Sequence, residues 1–205
     1  MRADARRNRQ SIVDATIELV LEIGGEPSRD AVADRAGVGI ATLYRHFPDQ
    51  QQLLRAAAVE VLDRAIREGR AALEEAATGG EALHRYLHAA IDCGLGAVNI
   101  VYPLLDDHDW PDQRDAARSV LDRLIEAASR DGAIGPEHTA TDVAFAAIRF
   151  CRPLALGLDP ADERAIAHQQ LTHYLNGLSV SSRNPPAALV TPVDDRYAGT
   201  TRDRR

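Results

Sequence analysis

The strongest constraint on this chain is the spacing of its apolar residues. They recur at helical intervals almost throughout, and no stretch alternates as a half-buried strand would. From about Ala5 to Ile23, the positions Ile12, Ala15, Leu19 and Ile23 fall on one helical face, and Val13, Ile17 and Val20 widen it. An all-α fold is predicted.

Punctuation between the periodic segments sets the element order. "GGEP" stops the first helix, because Gly and Pro end helices. Ser28 is a good N-cap for a second helix running to Ala36, with Val32, Ala33 and Ala36 inside and Gly37 as its terminator. A third helix covers about Ile40 to His46. Pro48 then breaks the chain, Asp49 caps a fourth helix, and Gln52 sits where a capping-box partner reaches back. The fourth helix spans about Gln50 to Ala77, with Leu54, Ala58, Val61 and Ala65 on one stripe. "TGGE" at 78–81 is the best boundary in the chain. Further helices are expected at about 81–93, 96–102, 112–130, 139–151 and 161–179. Asp159 caps the last of these and Pro160 takes its first position, while Pro153 should end or kink the helix before it. The tail from 181 to 205 lacks periodicity and is expected to be disordered.

Composition removes several function classes. Apolar residues make up 45% of the 205, enough for a sizeable core, yet no apolar run has the length of a membrane span. The start "MRADARRNRQ" leads into no signal-peptide apolar region, so a cytoplasmic protein with no membrane partner is expected. Cys93 and Cys151 are unclustered and read as buried thiols. His84 and His88 have the spacing of a metal pair, but no third ligand is placed by sequence, and no metal site is expected. "GLGAVNI" is no phosphate loop, since it lacks the Lys and the preceding strand. With no nucleophile–base pair either, neither catalysis nor a cofactor is expected.

The net charge of −7 argues against nucleic acid only if its distribution is ignored. Arg2, Arg6, Arg7 and Arg9 face a single Asp4 in the first ten residues. The 24 basic residues are all Arg, which reads as codon bias.

"AGVGIATLYRHF", Ala36 to Phe47, then carries the main functional signal. Helix 2, a tight Gly-containing turn and helix 3 make a helix-turn-helix. Leu43 and Phe47 share a face and can lock helix 3 onto helices 1 and 2. Ile40, Ala41, Thr42, Tyr44, Arg45 and His46 then point outward, as in a helix that enters the major groove. Ile40 or Ala41 suits a thymine methyl, and Thr42 suits a phosphate or a base. Tyr44 and His46 suit phosphate oxygens, and Arg45 either a phosphate or a guanine edge. Arg6 and Arg7, in an Arg-rich arm, suit the backbone or the minor groove. Ser28, at the start of helix 2, completes the set of expected DNA contacts.

The stretch "SRDAVADRAGVGIATLYRHFPDQQQLL" closely resembles the DNA-binding segment of the tetracycline-repressor-like (TetR/AcrR) family. The match rests on Ser28, Val32, Ala33, Ala36, Gly37, Val38, Thr42, Leu43, Tyr44, His46, Phe47, Pro48 and Leu53, and extends over about Arg7 to Leu62. There are departures: Gly39 stands where a Ser often caps, and Ile40 and Gln50 replace frequent cationic or polar residues. Fewer neutralised phosphates would weaken nonspecific affinity and flatten its salt dependence.

The resemblance implies a helix-turn-helix DNA-binding domain over 1–48, a connecting helix at about 49–77, and a helical ligand-binding and dimerisation domain over 49–180. It implies a homodimer whose last two helices pack with their symmetry mates, a palindromic double-stranded operator, and a small-molecule effector that relieves repression. Candidate pocket residues are Tyr86, His88, Cys93, Tyr102, Trp110, Phe145, Arg149 and Phe150. Their mostly apolar bulk suits an uncharged or weakly anionic hydrophobic molecule, with Arg149 as anion partner. Gly94 and Gly96 should weaken the helix there, forming a hinge or opening a pocket. An all-helical carrier or enzyme without DNA binding is the alternative.

Overall fold

The computed structural model describes residues 2–105, 111–135, 138–152 and 157–180. Among these residues the chain is all helical, with no strand. In order come α1 (Arg2–Ile23), α2 (Arg29–Ala36), α3 (Ile40–His46), α4 (Gln50–Glu75), α5 (Gly79–Asp92) and α6 (Leu95–Val101), the last running into a 3-10 turn at Tyr102–Leu104. Then follow α7 (Pro111–Arg130), α8 (Ala140–Phe150) and α9 (Pro160–Val180). Pro153, Trp110 and the tail after 180 lie outside the described residues.

Local chemistry sets most boundaries. The Ser28 hydroxyl accepts from Ala31 N at 3.2 Å and so caps α2. Gly37, at φ 66°, turns left-handed, and the Val38 amide reaches back to the Ala33 carbonyl at 3.0 Å, a Schellman closure. Asp49 Oδ1 accepts from Gln52 N at 2.7 Å and caps α4. The Gln52 side chain donates to Asp49 Oδ2 and not, as the capping-box reading expects, back to a backbone acceptor or donor of Asp49. A Gln carries an N–H donor, and the capping carboxylate is the stronger acceptor within reach. Asp159 and Pro160 begin α9 as expected, with Ala161 N on Asp159 Oδ1 at 2.8 Å. Thr139 and Asp142 form a reciprocal capping box at the head of α8.

Two apolar clusters divide the interior. The first joins α1, α2, α3, the first half of α4 as far as Leu62, and Ala97, Val98 and Val101 of α6. The second begins at Ala65 and joins the rest of α4 to α5, α7, α8 and α9. The expected α4 stripe of Leu54, Ala58, Val61 and Ala65 is buried, and it crosses from one cluster to the other. On α1, Ile12, Ala15 and Leu19 are buried as expected, but Ile23 is 55% exposed. It is the last residue before Gly24 turns away at φ 68°, so no partner helix covers it. Thr16 fills part of that face instead: it is fully buried, with its hydroxyl on the Ile12 carbonyl at 2.7 Å.

Gly94 breaks the chain between α5 and α6 at φ 83°, as its weakness as a helix former predicts. Gly96 opens no pocket, however. A Cβ there would lie 1.9 Å from the Cys151 carbonyl oxygen, so its missing side chain lets the end of α8 close onto α6.

Candidate nucleic-acid interface

The third helix is rotated as its sequence demands. Leu43 is fully buried and Phe47 is 2% exposed, and both sit in the first apolar cluster. Tyr44 is 49% and Ile40 37% exposed, so two large side chains of this short helix face solvent. Ala41 and Arg45 are also exposed, while Thr42 and His46 are half-buried. Six expected contact residues thus stand on the outer side of one seven-residue helix. Gly39 begins that helix without a side-chain cap, since it has no oxygen to offer.

Two of these residues are tied together. Arg45 Nη2 donates to the Thr42 hydroxyl at 2.9 Å, one turn back along the helix. That bond aims both polar groups along the same outward edge. The helix carries no acidic residue in its first turn, and Arg45 and His46 lie in its last. Local charge on this face is therefore basic despite the net −7.

The Arg-rich start differs from expectation. It is not an extended arm, because α1 begins at Arg2 and carries Arg6, Arg7 and Arg9 on helical backbone. Ala and Arg are strong helix formers, no Gly or Pro intervenes, and Asp4 in the first turn complements the helix dipole. Arg6 and Arg7 are exposed, and Arg7 is paired with Asp4. The Arg9 guanidinium lies 5.0 Å over the Phe47 ring, which places it on the seam between α1 and α3.

Sequence reasoning passed over Arg29. Its guanidinium sits 4.1 Å from the centre of the Tyr44 ring and donates to the carbonyls of Phe47 and Pro48, the latter at 3.1 Å. The only signal for it was an arginine placed directly after the cap of α2, opposite the end of α3. Arg35, also on α2, pairs with Glu22 at 2.7 Å and Glu18 at 3.4 Å, fixing α2 to α1.

The expected pocket residues do not gather in one place. Tyr86 is buried in the second cluster, and burial pushes its hydroxyl up to about 12. Phe150 packs there too, its ring 5.6 Å from that of Tyr174. Tyr102 lies against the first cluster, with the Arg114 guanidinium 5.0 Å over its ring. Phe145 is 53% exposed and Arg149 is exposed, both on α8. His88 faces His168 of α9. Cys93 lines a cleft of about 370 Å³ between α4 and α5, together with Arg64, Arg67, Glu68, Ala89 and Asp92. A second cleft, of about 330 Å³, lies where Thr78 and Gly79 meet Arg123 and Arg130 of α7. Its walls are mixed, with Leu73, Ala76, Ala77, Ala82 and Ala127 beside Thr78, Arg123, Glu126 and Arg130, and none of the seven described candidates besides Cys93 lines either cleft. No single described helix is long and apolar enough to cross a membrane.

Residues 12–57 match the family described as bacterial regulatory proteins, tetR family. An HTH-type transcriptional regulator of Staphylococcus aureus is 44% identical over 54 residues, which is 26% of this chain and 29% of that relative. The likeness to that curated relative thus spans less than a third of its length. Among solved structures, a TetR transcriptional regulator from Streptomyces coelicolor is 29% identical, covering 83% of this chain and 97% of that one, with a TM-score of 0.60. The TetR transcription regulatory protein from Mycobacterium vanbaalenii is 26% identical, with 86% and 98% covered and the same TM-score of 0.60.

Proposed function

The chain carries a tetR-family DNA-binding region in a tetR-type fold, and from that premise we propose that it is a transcriptional regulator acting in the cytoplasm as a homodimer on a palindromic operator. The observation that carries this reading is the division of α3: Leu43 and Phe47 inside, and Ile40, Ala41, Thr42, Tyr44, Arg45 and His46 outside. The inner pair fixes the helix angle, and the outer set faces base edges and phosphates. Ser28, Arg6 and Arg7 add contacts to the flanking backbone.

Residues 1–48 form the reading unit in this proposal, and 49–180 form the unit that dimerises through α8 and α9 and takes a small effector. No catalytic step is assigned to it. Repression relieved by the effector needs a coupling element. The helix α4 supplies one, because its apolar stripe is continuous through both clusters. An effector that favours a dimer with misplaced reading helices must weaken DNA binding by the same factor. Two units need about 34–36 Å between them, or a multiple, to reach successive grooves.

A mobility shift on the DNA upstream of the chain's own coding region tests the reading. A discrete complex that survives excess unrelated duplex is expected. Retardation no stronger than that of unrelated DNA would favour the carrier or enzyme reading.

A further inference from the structure

The α3 helix is too short to hold itself. Seven residues make about two turns, and isolated helices of that length are marginal in water. Its C-terminal end has a particular problem. Phe47, the C-cap, is followed by Pro48, which has no N–H, so the next backbone position offers no donor. The carbonyls of Phe47 and Pro48 lie just past the last helical residue, outside the helical hydrogen-bond ladder, and can take donors from elsewhere.

One side chain supplies them. Arg29, the first residue of α2, donates Nη2 to the Phe47 carbonyl and Nη1 to the Pro48 carbonyl. Its guanidinium carbon lies over the Tyr44 ring, 4.1 Å from the ring centre. Its Nε is buried without a hydrogen-bond partner, so the side chain is held by the far end of the fork and by the ring. A second bond runs the opposite way: Gln50 Nε2, at the head of α4, donates to the Pro27 carbonyl at 3.0 Å. The start of α2 and the joint between α3 and α4 are therefore bound in both directions.

We infer that Arg29 is a positioning residue for DNA recognition: it closes the end of α3 and sets the angle of Tyr44, and it is not itself a phosphate contact. This rests on the reading of α3 as the DNA-facing helix. The chemistry is specific to arginine. A lysine at position 29 keeps the charge but has neither the planar fork for two carbonyls nor the flat face for the ring. Both carbonyl bonds are charge-assisted, and the guanidinium donors used on them are not free for DNA.

The test uses the full chain labelled with 3-fluorotyrosine, the Tyr44 resonance being assigned by its loss in Tyr44→Phe. Arg29→Met is expected to move that resonance toward the position of an exposed tyrosine and leave the other resonances in place. Arg29→Lys is expected to behave like Arg29→Met, not like the wild type. Affinity for the upstream duplex should fall about 3- to 30-fold in both, the range that a cation–π contact and charge-assisted bonds supply. The slope of log affinity against log salt should not change. In a Tyr44→Ala background the further loss from Arg29→Met should shrink to the part that the two carbonyl bonds supply.

Three results would overturn the inference. One is an unmoved Tyr44 resonance. Another is full affinity in Arg29→Lys. The third is a salt slope shallower by about one in Arg29→Met, the mark of a lost phosphate contact. If the wild type binds no DNA, the functional reading fails, and the fluorine resonance alone still decides whether Arg29 holds Tyr44. If Arg29→Met does not fold, Arg29→Lys, which keeps the stem and the charge, carries the same comparison.

Discussion

The Nδ1 atoms of His88 on α5 and His168 on α9 stand 2.7 Å apart, with their ring planes 10° from parallel. Two ring nitrogens at that distance share one proton, one donating and the other accepting. His168 Nε2 faces Asp92 Oδ1 at 3.0 Å, so it is the donor there, which leaves its Nδ1 as the acceptor from His88. His88 Nε2 faces the Thr172 hydroxyl at 3.3 Å. A proton on both facing Nδ1 atoms would set two N–H groups against each other.

This contact predicts a pH dependence with a definite sign. Burial lowers the pKa of His88, and His84 and His168 lower it further, while Asp92 opposes them. The unfolded chain therefore binds a proton at this position at a pH where the folded chain does not. Stability from His88 is fully present above 6.5 and is lost as pH falls through the lowered folded value. Melting temperatures between pH 8 and pH 5 should fall more steeply in the wild type than in His88→Gln. Parallel curves would contradict the assignment.

Phe47→Ala should remove about 3–5 kcal/mol of stability, as truncation of a core aromatic does. Phe47 is 2% exposed and joins α3 to the first cluster. Denaturant unfolding measures the loss, and DNA binding should disappear with it. Full stability with lost binding would mean that Phe47 faces outward and α3 is rotated.

The two glycines beside helix starts should respond in opposite ways. Gly96→Ala puts a Cβ 1.9 Å from a backbone oxygen, and overpacking of that kind costs about 1–3 kcal/mol. Gly39 has φ −67° and nothing within 4 Å of its would-be Cβ. Gly39→Ser can therefore add the missing cap to α3 and should gain a few tenths of a kcal/mol. Thermal melts of the two variants check both, and a stable Gly96→Ala would contradict the close approach of α6 and α8.

The two thiols should be slow nucleophiles. Burial pushes Cys151 up to about 12, and it also raises Cys93, which is less enclosed. At pH 8, iodoacetamide should label Cys93 first, Cys151 later, and both more slowly than a free thiol. Labelling of Cys151 at the rate of free cysteine would contradict its enclosure.

The parts of this architecture that were legible in the sequence are the local ones. Ser28, Gly37, Asp49 and Pro160 announce helix ends through their own backbone chemistry, and Leu43 and Phe47 share a face by helical spacing alone. What was not legible depends on residues distant in sequence. Ile23 looked apolar and inward, but a helix's last residue is buried only if another element reaches it. Gly96 looked like a gap, yet Cys151, 55 positions later, fills it. Arg29 acts through Tyr44, Phe47 and Pro48, a relation that no local pattern encodes. The scatter of Tyr86, Tyr102, Phe145 and Phe150 has the same origin, since composition cannot say which bulky side chains converge.

The outer face of α3 carries the proposed DNA contact, and Arg45 is its sharpest probe. Arg45 is exposed, and its one described bond, to Thr42, lies on the helix surface. Replacing it should therefore leave the fold intact. The decisive measurement is operator affinity and hydroxyl-radical footprint for the wild type and Arg45→Ala on the same upstream duplex, with melting curves in parallel. Melting should be unchanged, and affinity should fall by about 1–3 kcal/mol if Arg45 reads a base edge. An unaltered footprint at unaltered affinity would contradict the placement of α3 in the groove.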